Sequence, residues 1–271
     1  MSYLVCAPSG PEAIIIDSVL DFDASSGRTS TESADQIIAA VNEEKLAVSL
    51  ILETHVHADH LSAAPYLKKS LGTTVAIGAH ITDVQGVFRD IFNLGASFPA
   101  DGRQFDRLLA DGETLDVGDL SISCMHTPGH TPACMTYVIG DAAFVGDTMF
   151  MPDYGTTWCD FPGGDAVTLY RSMRRILDLP PETRIFVCHD YGPDDRPYAW
   201  ESTVVEEKAS NKHMKDGVRE QEFVRMREER DATLSMPALI LPSVQINMRA
   251  GQFPEAEDNG VSYLKLPLNA L

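Results

Sequence analysis

Apolar residues along this chain fall in short runs whose spacing alternates between strand-like and helix-like, with Gly and Pro between them. Residues 13–16 predict a short apolar strand that stops at Asp17. Ile37, Ile38 and Val41 share one face of a helix over 33–44, with Ser and Thr before it as caps. Residues 48–52 predict a buried strand running straight into Glu53-Thr54-His55. A helix over 63–70, ended by Gly72, and a strand over 75–77 follow. Strand patterns over 115–124 and 136–145 are broken by turns at Gly118-Asp119 and Gly140-Asp141. Residues 165–178 predict an amphipathic helix with Val167, Tyr170, Met173 and Leu177 on one stripe. A last apolar strand over 185–188 ends at His189, and beyond Glu201 the chain turns helical and charged, then irregular. Two strand-rich halves with helices outside predict an α/β fold, a layered αββα sandwich in a single domain over 1–271. Residues 200–271 form an extension packed on it.

Composition narrows the chemistry. A chain of 271 residues buries a core without disulfide or metal staples, and 44% hydrophobic with 23% charged residues excludes disorder. Asp and Glu number 40 against 21 Lys and Arg, a net charge of −19, which repels phosphate backbones and anionic lipid. Nucleic-acid and membrane-surface work is therefore disfavoured, although a bound cation reverses the sign locally. No stretch approaches the ~20 apolar residues of a membrane-spanning helix, and the first ten residues do not read as a secretory signal. The five cysteines (Cys6, Cys124, Cys134, Cys159, Cys188) are scattered and include no CxxC pair, so the expectation is a reduced, cytoplasmic protein.

The histidines carry the argument. Residues 55–60 read HVHADH, the pattern HxHxDH, immediately after the strand over 48–52. His55 and His57, two apart in extended chain, face the same way, while Asp59 and His60 lie past the bend. His130 follows in TPGH, Asp147 in GDT after an apolar strand, and His189 after the strand over 185–188. Imidazole and carboxylate suit zinc, iron and manganese, and seven such groups at strand ends can meet along one sheet edge. His80, His126 and His213 lack such company and read as ordinary hydrogen-bonded histidines.

These motifs, in this order over residues 50–190, resemble the metallo-β-lactamase superfamily. The resemblance implies an αββα sandwich of two mixed sheets with a metal site at their edge. In its dinuclear members, one ion would be held by His55, His57, His130 and Asp147. The other would be held by Asp59, His60, His189 and a bridging Asp147. The loops PDYG at 152–155 and CDFPGG at 159–164, the HDY at 189–191 and the tail motif NMRAG at 247–251 narrow the likeness. They resemble the persulfide dioxygenase branch, the ethylmalonic encephalopathy protein family and its bacterial relatives.

That resemblance implies one ferrous iron held by His55, His130 and Asp147, a facial triad that leaves positions for a thiol persulfide and dioxygen. The persulfide, such as glutathione persulfide, would be oxidised to sulfite. His57, Asp59, His60 and His189 would then orient ligands and water, and Tyr191 would donate a hydrogen bond near the reacting atoms. Homodimers or homotetramers are implied as well. The family carries Arg two residues before the pair Asp160-Phe161, where this chain has Trp158. An indole cannot make Arg's forked bond to a carboxylate, so Arg249, Arg103 and Arg107 stand as other sources of charge for substrate binding.

A different class remains open: a dinuclear zinc hydrolase of the glyoxalase II or lactonase type, for which all seven ligands are present. A non-catalytic metal-binding or sensor protein has little support, because open ligand sets are typical of catalysis. Other features read plainly. Residues 219–231 predict a solvated helix around Phe223, Val224 and Met226, and the methionines fill core. Cys159 reads as a buried, inert thiol, with a reactive one as the alternative. Asp101, Asp106 and Asp111 flank a long loop over 93–108.

Overall fold

The computed structural model describes residues 1–159 and 161–270; Asp160, part of the CDFPGG loop, and Leu271 lie outside the described residues. The chain divides into two compact units. One comprises residues 2–108, 117–120 and 236–271, the other residue 1 with 109–116 and 121–235.

The first unit is built on a five-stranded sheet of order β1-β2-β5-β7-β8: β1 Tyr3–Cys6, β2 Glu12–Ile16, β5 Ala47–Leu52, β7 Thr74–Gly78 and β8 Arg107–Leu109. Strands β2, β5 and β7 run parallel. Ile14, Ile15, Ile16, Ile51 and Leu52 are all buried, which explains their unbroken apolar runs. Burying each such side chain contributes about 1.5–3 kcal/mol. Helices α1 (Glu32–Glu43), α2 (Ala64–Leu71), α3 (Ile81–Ile91) and α7 (Ile240–Asn247) belong to this unit, with a small sheet of β3 (Val19–Asp23), β4 (Arg28–Ser30) and β6 (Leu61–Ser62). Helix α1 starts without a side-chain cap, because the Thr31 hydroxyl turns to Asp35 instead of the backbone. Gly72 ends α2 in the left-handed region, as the sequence predicts.

Helix α3 fills the stretch between the strand over 75–77 and the long loop expected over 93–108. Its inward face is Ile81, Val84, Gln85 and Phe88, and the polar Gln85 disguises the repeat. Within the expected loop, residues 95–97 form a short 3₁₀ turn and residues 107–109 pair as β8.

The second unit carries a six-stranded sheet of order β14-β13-β12-β11-β10-β9: β14 Glu201–Thr203, β13 Arg184–Phe186, β12 Ala142–Phe144, β11 Met135–Ile139, β10 Leu120–His126 and β9 Thr114–Val117. Gly118 and Gly140, at φ 55 and 60, make the expected turns. Helices α4 (Ala166–Leu177), α5 (Val204–Ser210) and α6 (Glu220–Asp231) join them. Asp165 caps α4 by accepting from the Thr168 amide.

The stripe of α4 is rotated from the expected one. Ala166, Leu169, Met173 and Ile176 face inward with Leu177, whereas Val167 and Tyr170 are half-buried. The core of this unit gathers Val145, Met149, Leu169, Met173, Ile185, Val187 and Phe223. Helix α6 is no purely solvated helix: Arg227 is fully buried and pairs with Asp231, its guanidinium donating at 2.6 and 2.9 Å. Among the described residues, no helix is long and apolar enough to cross a membrane. The expectation of a mixed α/β fold is met in each unit.

Candidate metal centre

In the first unit, β5 delivers HxHxDH from its end, and Asp17 at the end of the parallel strand β2 anchors it. Asp17 takes the left-handed φ of 52, which turns its buried carboxylate toward the neighbouring strand end. It accepts from the Thr54 amide at 2.7 Å and the Thr54 hydroxyl at 2.8 Å. A hydroxyl has one proton, so Thr54 Oγ1 accepts in turn from His55 Nδ1 at 2.9 Å. That fixes the tautomer and leaves the His55 lone pair on Nε2. His57 Nε2 lies 3.0 Å from Asp17 Oδ1, an ion-pair contact between two buried side chains.

Both ring nitrogens of His57 are buried and have no hydrogen-bond partner among the described residues. Burial alone would depress the His57 pKa, but the Asp17 charge outweighs it and holds it above the ordinary range. Glu53 Oε2 is 4.0 Å from the same ring. Burial first, and then Asp17, push the Glu53 carboxyl well up. His60 Nδ1 meets Asp59 Oδ1 at 3.3 Å. His57, Asp59 and His60 offer ligand atoms all within 4.8 Å of one another, as do Asp17, Glu53 and His57.

In the second unit, Asp147 follows β12, and its carboxylate oxygens lie 3.9 Å from His130 Nε2 and 3.4 Å from His189 Nε2. These separations are long for hydrogen bonds. The 3.4 Å pair matches two donors that each sit ~2.1 Å from one ion, which leaves them about 3–3.5 Å apart, and the 3.9 Å pair is wider than that. His130 donates from Nδ1 to the Trp158 carbonyl at 2.9 Å, so its Nε2 carries the lone pair on the Asp147 side. Trp158 thus acts here through its backbone, while its half-buried indole tilts beside the imidazole with ring centroids 6.1 Å apart.

Helix α4 braces the TPGH turn. The Asp165 amide donates to the Gly129 carbonyl and Ser172 Oγ to the Pro128 carbonyl. Gly129 has φ 135, and a Cβ there would stand 2.3 Å from Leu169 Cα, so only glycine allows the loop this close. Tyr191 is 55% exposed, stacks on Tyr154 at 4.4 Å and lies 6.4 Å from the His189 ring. With Phe150 it forms an aromatic wall beside His189.

Of the three arginines expected as sources of charge, Arg249 sits half-buried in the first unit, stacked 4.6 Å over Phe98 and bonded to the Gln245 carbonyl. Arg103 is exposed and paired with Asp101, and Arg107 is exposed at the start of β8. Cys159 is buried, which pushes its thiol up and keeps it inert. His80 pairs with Asp83, His126 meets the Pro132 carbonyl, and His213 accepts from the Thr156 amide, so all three are ordinary partnered histidines. Asp17 and Thr54 hold the histidine loop without belonging to any of the motifs. The one local clue is a carboxylate ending an apolar strand at Asp17.

The donor set therefore fits a metal ion: imidazole lone pairs set by buried partners, with a carboxylate spaced for a shared ion. The family model of the metallo-beta-lactamase superfamily matches residues 1–189. The chain is 60% identical to a probable metallo-hydrolase of Burkholderia pseudomallei, over 100% of this chain and 96% of that one. It is 53% identical to Glyoxylase B2 of Dictyostelium discoideum, over 95% and 89%. It is 29% identical to the human mitochondrial persulfide dioxygenase ETHE1, over 94% and 86%. The crystal structure of ETHE1 from Myxococcus xanthus aligns with a TM-score of 0.74 at 28% identity, over 93% of this chain and 94% of that one. The fold expected from the motifs is the fold found, and the chain belongs to the metallo-beta-lactamase superfamily of metallo-enzymes.

Proposed function

We propose that the chain is an iron-dependent persulfide dioxygenase that oxidises glutathione persulfide or a related thiol persulfide to sulfite. The observation that carries this reading is the likeness to ETHE1 in sequence and structure over more than nine-tenths of the chain, the tail included. In this proposal His55, His130 and Asp147 hold one ferrous iron per chain, and 1–271 works as a single domain. The iron, when bound, supplies the open positions and the redox chemistry that dioxygen requires.

The chain's own residues do the rest. Thr54 and the Trp158 carbonyl hold the His55 and His130 tautomers. His57, fastened to Asp17, and Asp59, His60 and His189 orient ligands and water. Tyr191 presents its hydroxyl from the aromatic wall beside His189. Trp158 and Arg249 contact the thiol carrier. Four of the five cysteines are buried and no disulfide is formed among the described residues, which suits a reducing compartment, and cytoplasmic residence is part of the proposal.

A second reading has its own support. His57, Asp59 and His60 form a ligand group by themselves, and the more similar relatives are named as a metallo-hydrolase and a glyoxylase. With two zinc ions the chain would be a hydrolase of the glyoxalase II or lactonase type. Anaerobic purification with elemental analysis, followed by an oxygen electrode with several persulfides, separates the two. The dioxygenase reading expects close to one iron per chain and persulfide-dependent oxygen uptake. Two zinc ions, thioester hydrolysis and no oxygen uptake overturn it.

A further inference from the structure

The tail beyond the matched family region reaches back to the metal-ligand loop. Asn247, at the end of α7 and buried, donates from Nδ2 to the His57 and His60 carbonyls at 2.8 Å each. Its Oδ1 accepts from the Ser62 amide at 2.8 Å. A backbone amide can only donate, so the Asn247 side chain has one possible orientation. Residues 55–60 have no helix or strand ladder of their own. One carboxamide therefore spans the bend between His57 and His60 in the HxHxDH loop.

Two further contacts seat this tail. Gly251 has φ 81, and a Cβ there would lie 2.7 Å from the Ser62 carbonyl oxygen and 2.6 Å from Pro65 Cδ. Gln85 donates to the Met248 carbonyl at 2.9 Å and is itself held by the Gly102 amide. The motif NMRAG at 247–251 thus contributes a side chain, a carbonyl and a missing Cβ to one junction.

We propose that Asn247 is a positioning residue that clamps the HxHxDH loop in the shape that binds metal. The inference rests on the reading that this loop serves a metal site, and it holds for iron or zinc alike. Outer partners that orient ligands typically govern metal affinity by 10–100-fold.

Asn247→Asp is nearly isosteric and keeps the acceptor for Ser62, but it turns oxygens toward two carbonyls. Gly251→Ala lifts the tail off the loop. Val244→Ala, in the same helix and fully buried, loosens packing while keeping the Asn247 carboxamide and Gly251. Ferrous iron (anaerobically) and zinc are each titrated against a chelator, with circular dichroism on the metal-free proteins. The clamp expects N247D and G251A to remain folded with metal affinity reduced 10–100-fold, while V244A melts earlier and binds as wild type does.

Wild-type affinity in N247D, or an equal loss in V244A, overturns it. Uptake of zinc but not iron by the wild type would end the dioxygenase reading and leave the clamp tested on zinc. If N247D does not fold, hydrogen exchange of the metal-free wild type decides. The clamp expects a protected Ser62 amide, and exchange at exposed-chain rates overturns it.

Discussion

Glu207 is fully buried in α5, where Oε1 accepts from Ser202 Oγ and Oε2 from Asn211 Nδ2, both at 2.6 Å. Burial outweighs these two hydrogen bonds and pushes the carboxyl up to about 7. Asn211 cannot turn round, because its Oδ1 accepts from the His213 and Met214 amides. The proton of neutral Glu207 therefore sits on Oε1 and is donated to Ser202. Glu207→Gln places an N–H there and keeps every partner.

The folded pKa lies above the unfolded one, so the folded state holds the extra proton. Stability from this group is full below the unfolded value of 4.5 and is lost as pH rises through about 7. At ~1.4 kcal/mol per pH unit, the gap amounts to about 3 kcal/mol by pH 8. His213 works the other way: burial first, then Arg227, Arg230 and Lys212, push it down to about 4, so its contribution is lost as pH falls from 6.5 toward 4. It is common to both proteins and cancels in their difference. Urea unfolding at pH 5 and pH 8 should show the stability difference between E207Q and wild type growing by about 2–3 kcal/mol in favour of E207Q. A difference that stays constant across that range refutes the account of Glu207.

Trp158→Arg keeps the backbone carbonyl that orients His130. If the indole is what excludes a substrate carboxylate, KM for glutathione persulfide should fall about tenfold with little change in kcat, as one charged hydrogen bond would give; an unchanged KM removes Trp158 as the determinant. Gly129→Ala drives a Cβ into the backbone of α4, and chemical denaturation should show a loss of about 2–4 kcal/mol together with weaker metal retention. Arg227→Met strands the buried Asp231 carboxylate, which should lower stability by about 3–5 kcal/mol, with much of it recovered in R227M/D231L. Failure of that second change to restore stability would place the cost on the bonds that R227M/D231L also lacks, Arg227 to Thr156 and the Cys159 amide to Asp231.

Short-range chemistry was legible in the chain itself. The parallel strands showed as unbroken apolar runs because both their faces are covered. HxHxDH, TPGH and GDT showed because each ligand cluster sits within a few residues of a strand end. Gly72, Gly118 and Gly140 marked their turns through backbone freedom that local sequence alone decides. What hid were positions where a polar residue faces inward. Gln85 broke the apolar repeat of α3, and Arg227 and Asp231 made α6 look like a surface helix, since burial of a charge depends on a partner arriving from elsewhere.

The rotated stripe of α4 has a related cause: Val167 and Leu169 are equally apolar, and packing against the sheet decides which one is inside. Tautomers were beyond the sequence for the same reason. His55 and His57 are identical letters until Thr54, held by Asp17 some forty residues earlier in the chain, accepts a hydrogen bond from the first ring and the Asp17 carboxylate sets its charge beside the second. Asn247 lies 190 residues from His57. Residue order supplied the donors of the metal centre, and only folding, by bringing distant hydrogen-bonding groups into a dry interior where each must find a partner, settled which atom of each donor points where.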